Sequence, residues 1–378
     1  MISDPMLQPV GEAPSPATSA SIGKRASRRV ALEEAVLPPL VALLLAAVVG
    51  DVLILSFGQS PGAVYRLLLD GTWGNAYGFG QVLYKATTLT FTGLAVGLGL
   101  RAGLFNIGAE SQLAAGGFVA AVAGMLLPAG IPALVVLPLY VLAAALGGGV
   151  VGAVPGVLKA RFGAHEVIVT IMLNFVVLAL LNYLVSTKLH VPDTLHTPEL
   201  KSGALPRLSD FIEPFHGSAA NVTILLAIAT ALALGWYLFR TRRGFELRSV
   251  GLQPAAAEYA GVSVAGVTWR ALAVSGAIAG LGGLNYVIGY KHYYEEGFAT
   301  GAGFLGIAVA LVGRSHPVGI VLAALLFATL SQGGLAVNAL VPKQMVDVLQ
   351  AVVIFAVATS VPEVRRLLRG ARAGGSDR

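Results

Sequence analysis

The sequence contains no cysteine and unusually few charged residues for its length. With no cysteine among 378 residues, disulfide bonds, thiolate nucleophiles and thiolate metal ligands are all excluded. Only 12% of the residues are charged, against about 25% in an average soluble domain. Hydrophobic residues make up 56%, and 47 glycines suit helices that pack closely against one another in lipid. The composition therefore predicts an all-α polytopic membrane protein.

Several catalytic signatures are also missing. No Gly-Lys pair is followed by Ser or Thr, so the phosphate-binding core of a P-loop is absent. His165-Glu166 begins like a zinc-protease motif, but the second His of that motif would fall at Val169. Acidic residues inside the apolar runs are few, mainly Glu110 and Asp51, whereas ion-coupled carriers usually use more. These absences favour a passive transport subunit, with no catalytic residue or metal site, that another chain powers.

Ten apolar runs are long enough, or nearly long enough, to enter a bilayer. They predict about ten transmembrane helices (eight to ten) within a domain at 35–362. The run at 302–313 is short and flanked by glycine, which is typical of half of a broken or re-entrant helix. The ten runs are 36–57, 82–100, 111–127, 132–158, 166–186, 221–240, 268–289, 302–313, 317–337 and 345–362.

The distribution of Lys and Arg predicts how the chain is oriented. If ten spans alternate from an inner N-terminus, most of the 25 basic residues fall on the inner side, as the positive-inside rule requires. The two ends, 1–34 and 363–378, are then basic cytoplasmic tails, and the first is expected to be disordered. The polar gap 187–220 becomes an extracytoplasmic loop, and 240–267 becomes the main cytoplasmic loop. Basic inner segments explain the net charge of +6 without a nucleic-acid partner.

A polar, glycine-rich stretch, Arg101–Ala120, lies between two of these apolar runs. Polar groups and free backbone at that depth are unfavourable unless protein or a water-filled cavity surrounds them. We therefore predict a broken helix that lines a path for a polar solute, with a polar face of the fifth run beside it. The predicted path residues are Asn106, Glu110, Gln112, Thr170 and Asn174.

Two structural roles compete with this path. Thr170 and Asn174 lie one helical turn apart, and such residues also form hydrogen bonds between membrane helices. Glu110 is better suited to capping the helix that starts beside it, because a helix N-terminus stabilises a carboxylate. The sequence leaves both possibilities open.

The stretch at 103–121 also has a weak counterpart at 295–313. In both, a glycine-rich break precedes a helix of small residues. The helices before the two breaks run in opposite directions in the predicted topology. The pattern favours an inverted repeat, with a transport cavity at the interface between its halves.

The cytoplasmic loop 240–267 carries its own short helix signal. Pro254 suits the first helical position, helix-favouring residues follow it, and Gly261 can close the end. Arg243 and Arg248 are among the arginines that precede this helix. A helix tied to two spans would serve as a lever for a soluble partner; the alternative is a basic loop that only fixes topology against anionic lipid.

Four segments together resemble the permease subunits of ABC importers for branched-chain amino acids, simple sugars and nucleosides. The sequences of these segments are most similar to the nucleoside or simple-sugar branch, whose binding lipoproteins are of the basic-membrane-protein type. His165 and Ser111 depart from the family, which more usually has Asn and Gly there. The segments are GLAVGLGLRAGLFNIGAESQ (93–112), LKARFGAHEVIVTIMLN (158–174), RRGFELRSVGLQPAAAEYAGV (242–262) and GFLGIAVALVGRSHPVG (303–319).

The resemblance implies a role for the cytoplasmic loop and a set of partners. Residues 242–262 would dock onto a cytoplasmic ABC ATPase, with Ala256, Glu258 and Gly261 in the contacting helix. ATP–Mg would bind to that partner, and this chain would hold no cofactor. The working unit in the bacterial inner membrane would contain two permease chains, identical or homologous, two ATPases and an extracytoplasmic substrate-binding lipoprotein. A branched-chain amino acid permease and an ion-coupled secondary transporter remain as alternatives.

Overall fold

The computed structural model describes residue 41, residues 44–342 and residues 344–356. It contains α-helices and short 3₁₀ and π turns, and no β-strand in these ranges, so the all-α prediction is confirmed. Both predicted tails, 1–34 and 363–378, lie outside the described residues. The helices are α1 (Leu44–Ser56), α2 (Pro61–Asp70), α3 (Ala76–Arg101), α4 (Ala109–Leu126), α5 (Ala133–Phe162), α6 (Glu166–Leu184), α7 (Thr223–Arg240), α8 (Arg242–Leu252), α9 (Pro254–Tyr259), α10 (Val264–Leu281), α11 (Gly283–Tyr286), α12 (Ala302–Val312), α13 (Pro317–Ala336) and α14 (Gln344–Ala356).

Six of these helices are long and apolar enough to cross a membrane. The count becomes seven if α1 and α2, which are bent by 110° at their junction, form one span. Each of the ten apolar runs overlaps a described helix, but α12 and α14 are short, and α3 does not meet the same test of length and hydropathy. The protein is therefore multi-pass, and the number of eight to ten spans stays a prediction. The six are α4, α5, α6, α7, α10 with its continuation to Lys291, and α13.

Helix α3 runs through the centre of the molecule. Its residues from Leu89 to Gly99 are all buried, and α10, α12 and α13 pack around it. Close packing depends on glycine: a Cβ built on Gly93 would lie 2.7 Å from Val309 Cγ1 and 2.9 Å from Ile320 Cγ2. A larger residue at this position would push α12 and α13 away from the central helix.

Helices α5 and α10 form a second tight contact through facing glycines. A Cβ on Gly276 would clash with the carbonyl oxygen of Gly148, and one on Gly280 would clash with that of Ala144. A Cβ on Gly152 would likewise come too close to the backbone of Gly276. Each helix thus contributes a pair of glycines four residues apart, the spacing that lets membrane helices approach backbone to backbone. This contact fixes α10 against α5 on one side while α3 contacts it on the other.

The segment predicted as an extracytoplasmic loop, 187–220, lies across the end of the π turn that follows α11. The backbone amide of Leu205 donates to the Ile288 carbonyl at 2.8 Å, and that of Thr197 donates to the Tyr294 carbonyl at 2.9 Å. Prolines interrupt the segment, which contains only short 3₁₀ turns after the π turn that ends at Leu189. The described structure has no long helix in this segment, and its extracytoplasmic location stays a prediction.

Candidate functional site

The predicted helix break lies between α3 and α4. Helix α3 ends at Arg101, Gly103 adopts a φ of +72°, and α4 begins at Ala109. Arg101 is itself held, because its Nε donates to the carbonyl oxygen of Ser315 at 2.9 Å. Residues 102–108 are non-helical; Ala102, Leu104, Asn106 and Gly108 are buried by protein, whereas Gly103 is exposed. Burial by protein is the setting that non-helical backbone requires inside a membrane.

Two predicted path residues, Asn106 and Gln112, bind each other across this break. Asn106 Nδ2 donates to Gln112 Oε1 at 2.8 Å, and Gln112 Nε2 donates back to Asn106 Oδ1 at 3.1 Å. Asn106 also donates to Ser275 Oγ of α10 and accepts from the amide of Gly108. Both side chains are fully buried and have their hydrogen-bonding groups satisfied. Together they attach the start of α4 to α10.

The polar face predicted on α6 meets the same break. The Ile107 amide donates to Thr170 Oγ1 at 3.3 Å, and Asn174 Nδ2 donates to the Ile107 carbonyl at 2.9 Å. Asn174 Oδ1 in turn accepts from the amide of Ser111 at 3.1 Å. Thr170 and Asn174 therefore satisfy backbone groups that the break leaves without helical partners. At the start of α6, Glu166 accepts from Lys159 Nζ at 2.6 Å, which ties α6 to α5.

Glu110 caps a helix, but a different helix from the predicted one. Its two carboxylate oxygens accept from the amides of Gly301, at 2.5 Å, and Gly303, at 2.6 Å. These amides belong to the N-terminus of α12, the helix after the second glycine-rich break. No side chain caps α4, where Glu110 itself lies. The N-termini of the two helices that follow the breaks thus meet at one buried carboxylate, which the positive ends of helices stabilise.

The five predicted path residues take part in structural hydrogen bonds in the described structure, and their role in a transport path stays a prediction. All five are buried, and their hydrogen bonds hold the break and the start of α12 in place. Helix–helix hydrogen bonding, the alternative that the sequence left open, is the role seen for Thr170 and Asn174. An open space borders the start of α12, where Gly301 and Ala302 form part of its wall.

This space is a cavity of about 760 Å³ between α3, α11, α12, α13 and α14. Its volume lies within the range of about 300–1,000 Å³ that is usual for small-molecule sites. Its wall combines aromatic rings and aliphatic side chains with a small number of polar groups. The aromatic residues are Tyr84, Tyr286, Phe298 and Phe304, and the polar ones are Lys85, Thr88, Thr300, Ser331, Asp347 and Gln350.

Sequence reasoning missed the cavity and a second polar cluster behind it. Asn285 Nδ2 donates to the Tyr84 carbonyl and to Thr88 Oγ1, both at 2.9 Å. Its Oδ1 accepts from Asn221 at 3.0 Å and from Thr223 at 2.8 Å, at the start of α7. Asn221 and Asn285 lie within apolar runs, and this position was an available signal that polar groups were buried there. Tyr84 and Thr88 both line the cavity, so this cluster fixes one of its walls.

The short helix predicted within 240–267 is present as α9. It begins at Pro254, as predicted, and Gly261 follows it with a φ of +81°. Among the predicted coupling residues, Arg243, Ala256, Glu258 and Gly261 are exposed, while Arg248 is half-buried with its guanidinium 5.4 Å from the centre of the Phe239 ring. Two large side chains beside them are strongly exposed: Tyr259 at 96% and Leu252 at 85%. Such groups offer apolar contact area to a partner.

A further helix, α8, connects this exposed segment to the helix break. Sequence reasoning did not predict α8, although Thr241 caps it by accepting from the amide of Gly244. The C-terminal end of α8 lies against the turn after α3, where a Cβ on Gly103 would lie 3.1 Å from Gly251 Cα. A Cβ on Gly251 would clash with the Arg101 carbonyl oxygen. The segment 240–267 therefore contacts the break by its backbone.

Residues 78–358 match the family described as the permease component of the branched-chain amino acid transport system. The chain belongs to this permease family. The match covers both helix breaks, the cavity and the segment 240–267. The resemblance inferred from four segments of the sequence is thereby confirmed.

Several curated relatives are similar to this permease over most of their length. The guanosine ABC transporter permease protein of Bacillus subtilis is 38% identical over 332 residues, which cover 86% of this chain and 93% of the relative. The nucleoside ABC transporter permease protein of Lactococcus lactis is 34% identical, and the match covers 85% of this chain and 90% of the relative. The glucose ABC transporter permease protein of Haloferax volcanii is 33% identical, and the match covers 85% of this chain and 87% of the relative. No solved structure matches the permease.

Proposed function

We propose that this permease carries a nucleoside across the bacterial inner membrane as the membrane-spanning subunit of an ABC importer. The observation that carries this proposal is the 38% identity to a guanosine permease over nearly the whole of both chains. The second nucleoside relative supports the same substrate class. A simple sugar is the second candidate, favoured by the similarity to a glucose permease. The family description keeps branched-chain amino acids as a third substrate class to be tested.

The proposed partners follow from the surfaces of the chain. A cytoplasmic ABC ATPase binds α9, where Tyr259 and Leu252 supply exposed apolar area and Glu258 supplies charge. That ATPase binds ATP–Mg, and this chain holds no cofactor. A substrate-binding lipoprotein delivers the solute at 187–220, and a second permease chain, identical or homologous, completes the path.

The proposed mechanism is alternating access. ATP binding and hydrolysis in the partner displace α9 and α8, and the contact between Gly251 and Gly103 passes the displacement to the break between α3 and α4. Because Glu110 joins this break to the start of α12, movement there also shifts Gly301 and Ala302 in the cavity wall. The cavity then changes the side of the membrane to which it opens.

The proposed topology has ten crossing or partly crossing segments and both termini in the cytoplasm. It places α8 and α9 on the inner side and 187–220 on the outer side. Because the natural chain has no cysteine, single-cysteine variants test this directly. We expect Glu213→Cys, in an exposed turn, to react with an impermeant maleimide in intact cells, and Ala260→Cys to react only in inverted vesicles. The opposite labelling pattern would contradict the topology.

Transport by a reconstituted complex tests the function. The permease, its cognate ATPase and its binding protein in proteoliposomes should take up tritiated guanosine only when ATP is supplied to the ATPase. Tritiated leucine and glucose serve as the competing substrates. Preferential uptake of either would reject the nucleoside assignment. Guanosine uptake that continues without ATP and collapses with an ionophore would indicate an ion-coupled carrier.

A further inference from the structure

We propose that the cavity between α3, α11, α12, α13 and α14 binds the planar base of the transported solute, so that the permease itself selects nucleosides. This inference rests on the proposed function for the presence of a nucleoside. It goes beyond that function by placing the selective contacts in this chain rather than only in a binding protein.

The aromatic residues of the cavity supply one half of the argument. The Tyr286 and Phe298 rings both line it and stack on each other, with centroids 4.7 Å apart and an interplanar angle of 29°. Tyr84 lines it as well and lies 5.3 Å, between centroids, from Tyr290. Aromatic side chains bind nucleobases by stacking, without requiring one particular base. A wall with several rings therefore suits the flat faces of a purine or pyrimidine.

Gln350 of α14 supplies the other half. Its side chain is only 8% exposed and lines the cavity. Within the described ranges, its amide forms no hydrogen bond with another residue. Its side-chain carbonyl oxygen and amino group together offer one acceptor and two donors to a molecule in the cavity. The edge of a nucleobase presents the complementary donors and acceptors at the same spacing.

The remaining polar groups are placed for the sugar part of a nucleoside. Lys85 Nζ donates to Ser331 Oγ at 3.3 Å, and Asp347 and Thr300 lie at exposed positions of the same wall. These groups bind hydroxyls well, whereas the aliphatic and aromatic part of the wall does not. A cavity lined by both aromatic rings and hydroxyl-binding groups suits a nucleoside, which has both a flat base and sugar hydroxyls. The volume of about 760 Å³ accommodates both parts together.

The rings are held in place by the polar clusters described above. Asn285 binds the Tyr84 carbonyl, and Tyr286 Oη donates to the Glu295 carboxylate. Glu110 fixes Gly301, which also lines the cavity. Binding groups that are positioned before the ligand arrives lose little conformational freedom on binding, which favours affinity and selectivity.

Two cavity variants and two matched controls test the inference in the reconstituted importer. The cavity variants are Tyr286→Leu and Gln350→Met. The controls are Phe118→Leu, which removes another ring of the same aromatic group, and Gln332→Met, which removes a glutamine with a similar exposure of 9% on α13. Neither control residue lines the cavity as described.

We expect Tyr286→Leu to raise the KM for guanosine uptake about tenfold. Gln350→Met should raise it about fivefold. The maximal ATPase rate should remain within about twofold, and both controls should keep the KM of the unaltered chain. Tyr286→Phe keeps the ring and should have the KM of the unaltered chain. This variant separates the effect of losing the ring from the effect of losing the hydroxyl.

Direct labelling gives a second readout that does not depend on transport rates. On ultraviolet irradiation, 8-azidoguanosine should attach to peptides containing Tyr286, Phe298 or Gln350 in the solubilised complex, and excess guanosine should prevent it. Attachment elsewhere, or a KM that both cavity variants leave unchanged while the unaltered importer still transports guanosine, would overturn the inference. A failure of the unaltered importer to transport guanosine would instead reject the proposed function.

Discussion

The Glu110 carboxylate accepts a hydrogen bond from the amide of Gly303 at 2.6 Å, although the two residues are 193 positions apart in the chain. Through this bond, the helix after the first break closes the N-terminus of the helix after the second. An inverted repeat was expected from the sequence pattern of the two breaks. The carboxylate joins the two breaks through one side chain, and the inverted repeat itself stays a prediction.

Removing this carboxylate should destabilise the permease. Glu110→Ala leaves the amides of Gly301 and Gly303 without an acceptor, and each hydrogen bond to a charged group is worth about 1.5–3 kcal/mol. We expect a clearly lower melting temperature in detergent, with Glu110→Gln intermediate because it keeps one acceptor oxygen. Glu213→Ala, at an exposed position, is the control and should melt like the unaltered protein. Equal melting temperatures for all variants would contradict the cap.

The contact between α5 and α10 should not tolerate a methyl group. Gly276→Ala places a Cβ against the Gly148 carbonyl oxygen, which belongs to backbone and cannot rotate away. We expect this variant to yield little folded protein by size-exclusion chromatography. Gly235→Ala is the matched control on α7, because the nearest atom to its Cβ is 3.8 Å away. There, alanine should stabilise the helix by up to about 1 kcal/mol. A well-folded Gly276→Ala variant would show that the helices can separate at this point.

The exposed part of the cytoplasmic segment should be required for ATP-driven transport but not for folding. Tyr259→Ala removes a side chain that is 96% exposed, and so it breaks no contact of this chain that supports the fold. We expect the ATPase to copurify less well and transport to fall at least about tenfold, as is usual for a central aromatic contact. Phe211→Ala, exposed in the segment 187–220, is the control and should leave ATPase association unchanged. Normal ATPase binding by Tyr259→Ala would move the docking surface away from α9.

His316, at the start of α13, should make stability depend on pH. Its ring stacks on Phe239 at 5.4 Å, and burial together with the charge of Arg101 lowers its pKa below the ordinary value. The folded protein therefore favours the neutral ring, whereas the unfolded chain binds a proton near pH 6.5. This contribution to stability is present above that pH and is lost as pH falls towards the folded-state pKa.

We expect the melting temperature to drop between pH 7.5 and pH 5, and the drop to be smaller by roughly 1–3 °C in His316→Gln. His190→Gln, at an exposed position, should keep the full drop. If His316→Gln and the unaltered protein show the same pH dependence of the melting temperature, His316 does not contribute to it.

Local signals in the sequence predicted the helices well. The apolar runs mark the positions of the spans, because a membrane helix must bury its backbone polar groups and present apolar side chains. Pro254 and Gly261 marked the ends of α9 because they act on the backbone directly. Helix α8 was missed, since its residues Arg242–Leu252 are polar and only the cap at Thr241 indicates its start.

The cavity could not be predicted in the same way. Its lining residues come from helices distant in sequence, such as Lys85 on α3 and Gln350 on α14, and their proximity depends on how those helices pack. The path residues chosen from the sequence are polar and buried, as expected, but Asn106 and Gln112 satisfy each other rather than facing open space. Polarity inside a span indicates an important position, and only packing decides whether it contacts solute or backbone.

The meeting of Gly103 and Gly251 determines how stiffly the cytoplasmic segment is joined to the membrane core. In most contacts between helices, side chains lie between the two backbones. When one helix moves slightly, these side chains change rotamer and the other helix stays in place. Here, two main chains touch with nothing between them, so a displacement of α8 cannot be taken up locally. A displacement of α8 is therefore passed directly to the turn after α3. A side chain inserted at this contact would weaken that coupling, because it could change rotamer instead.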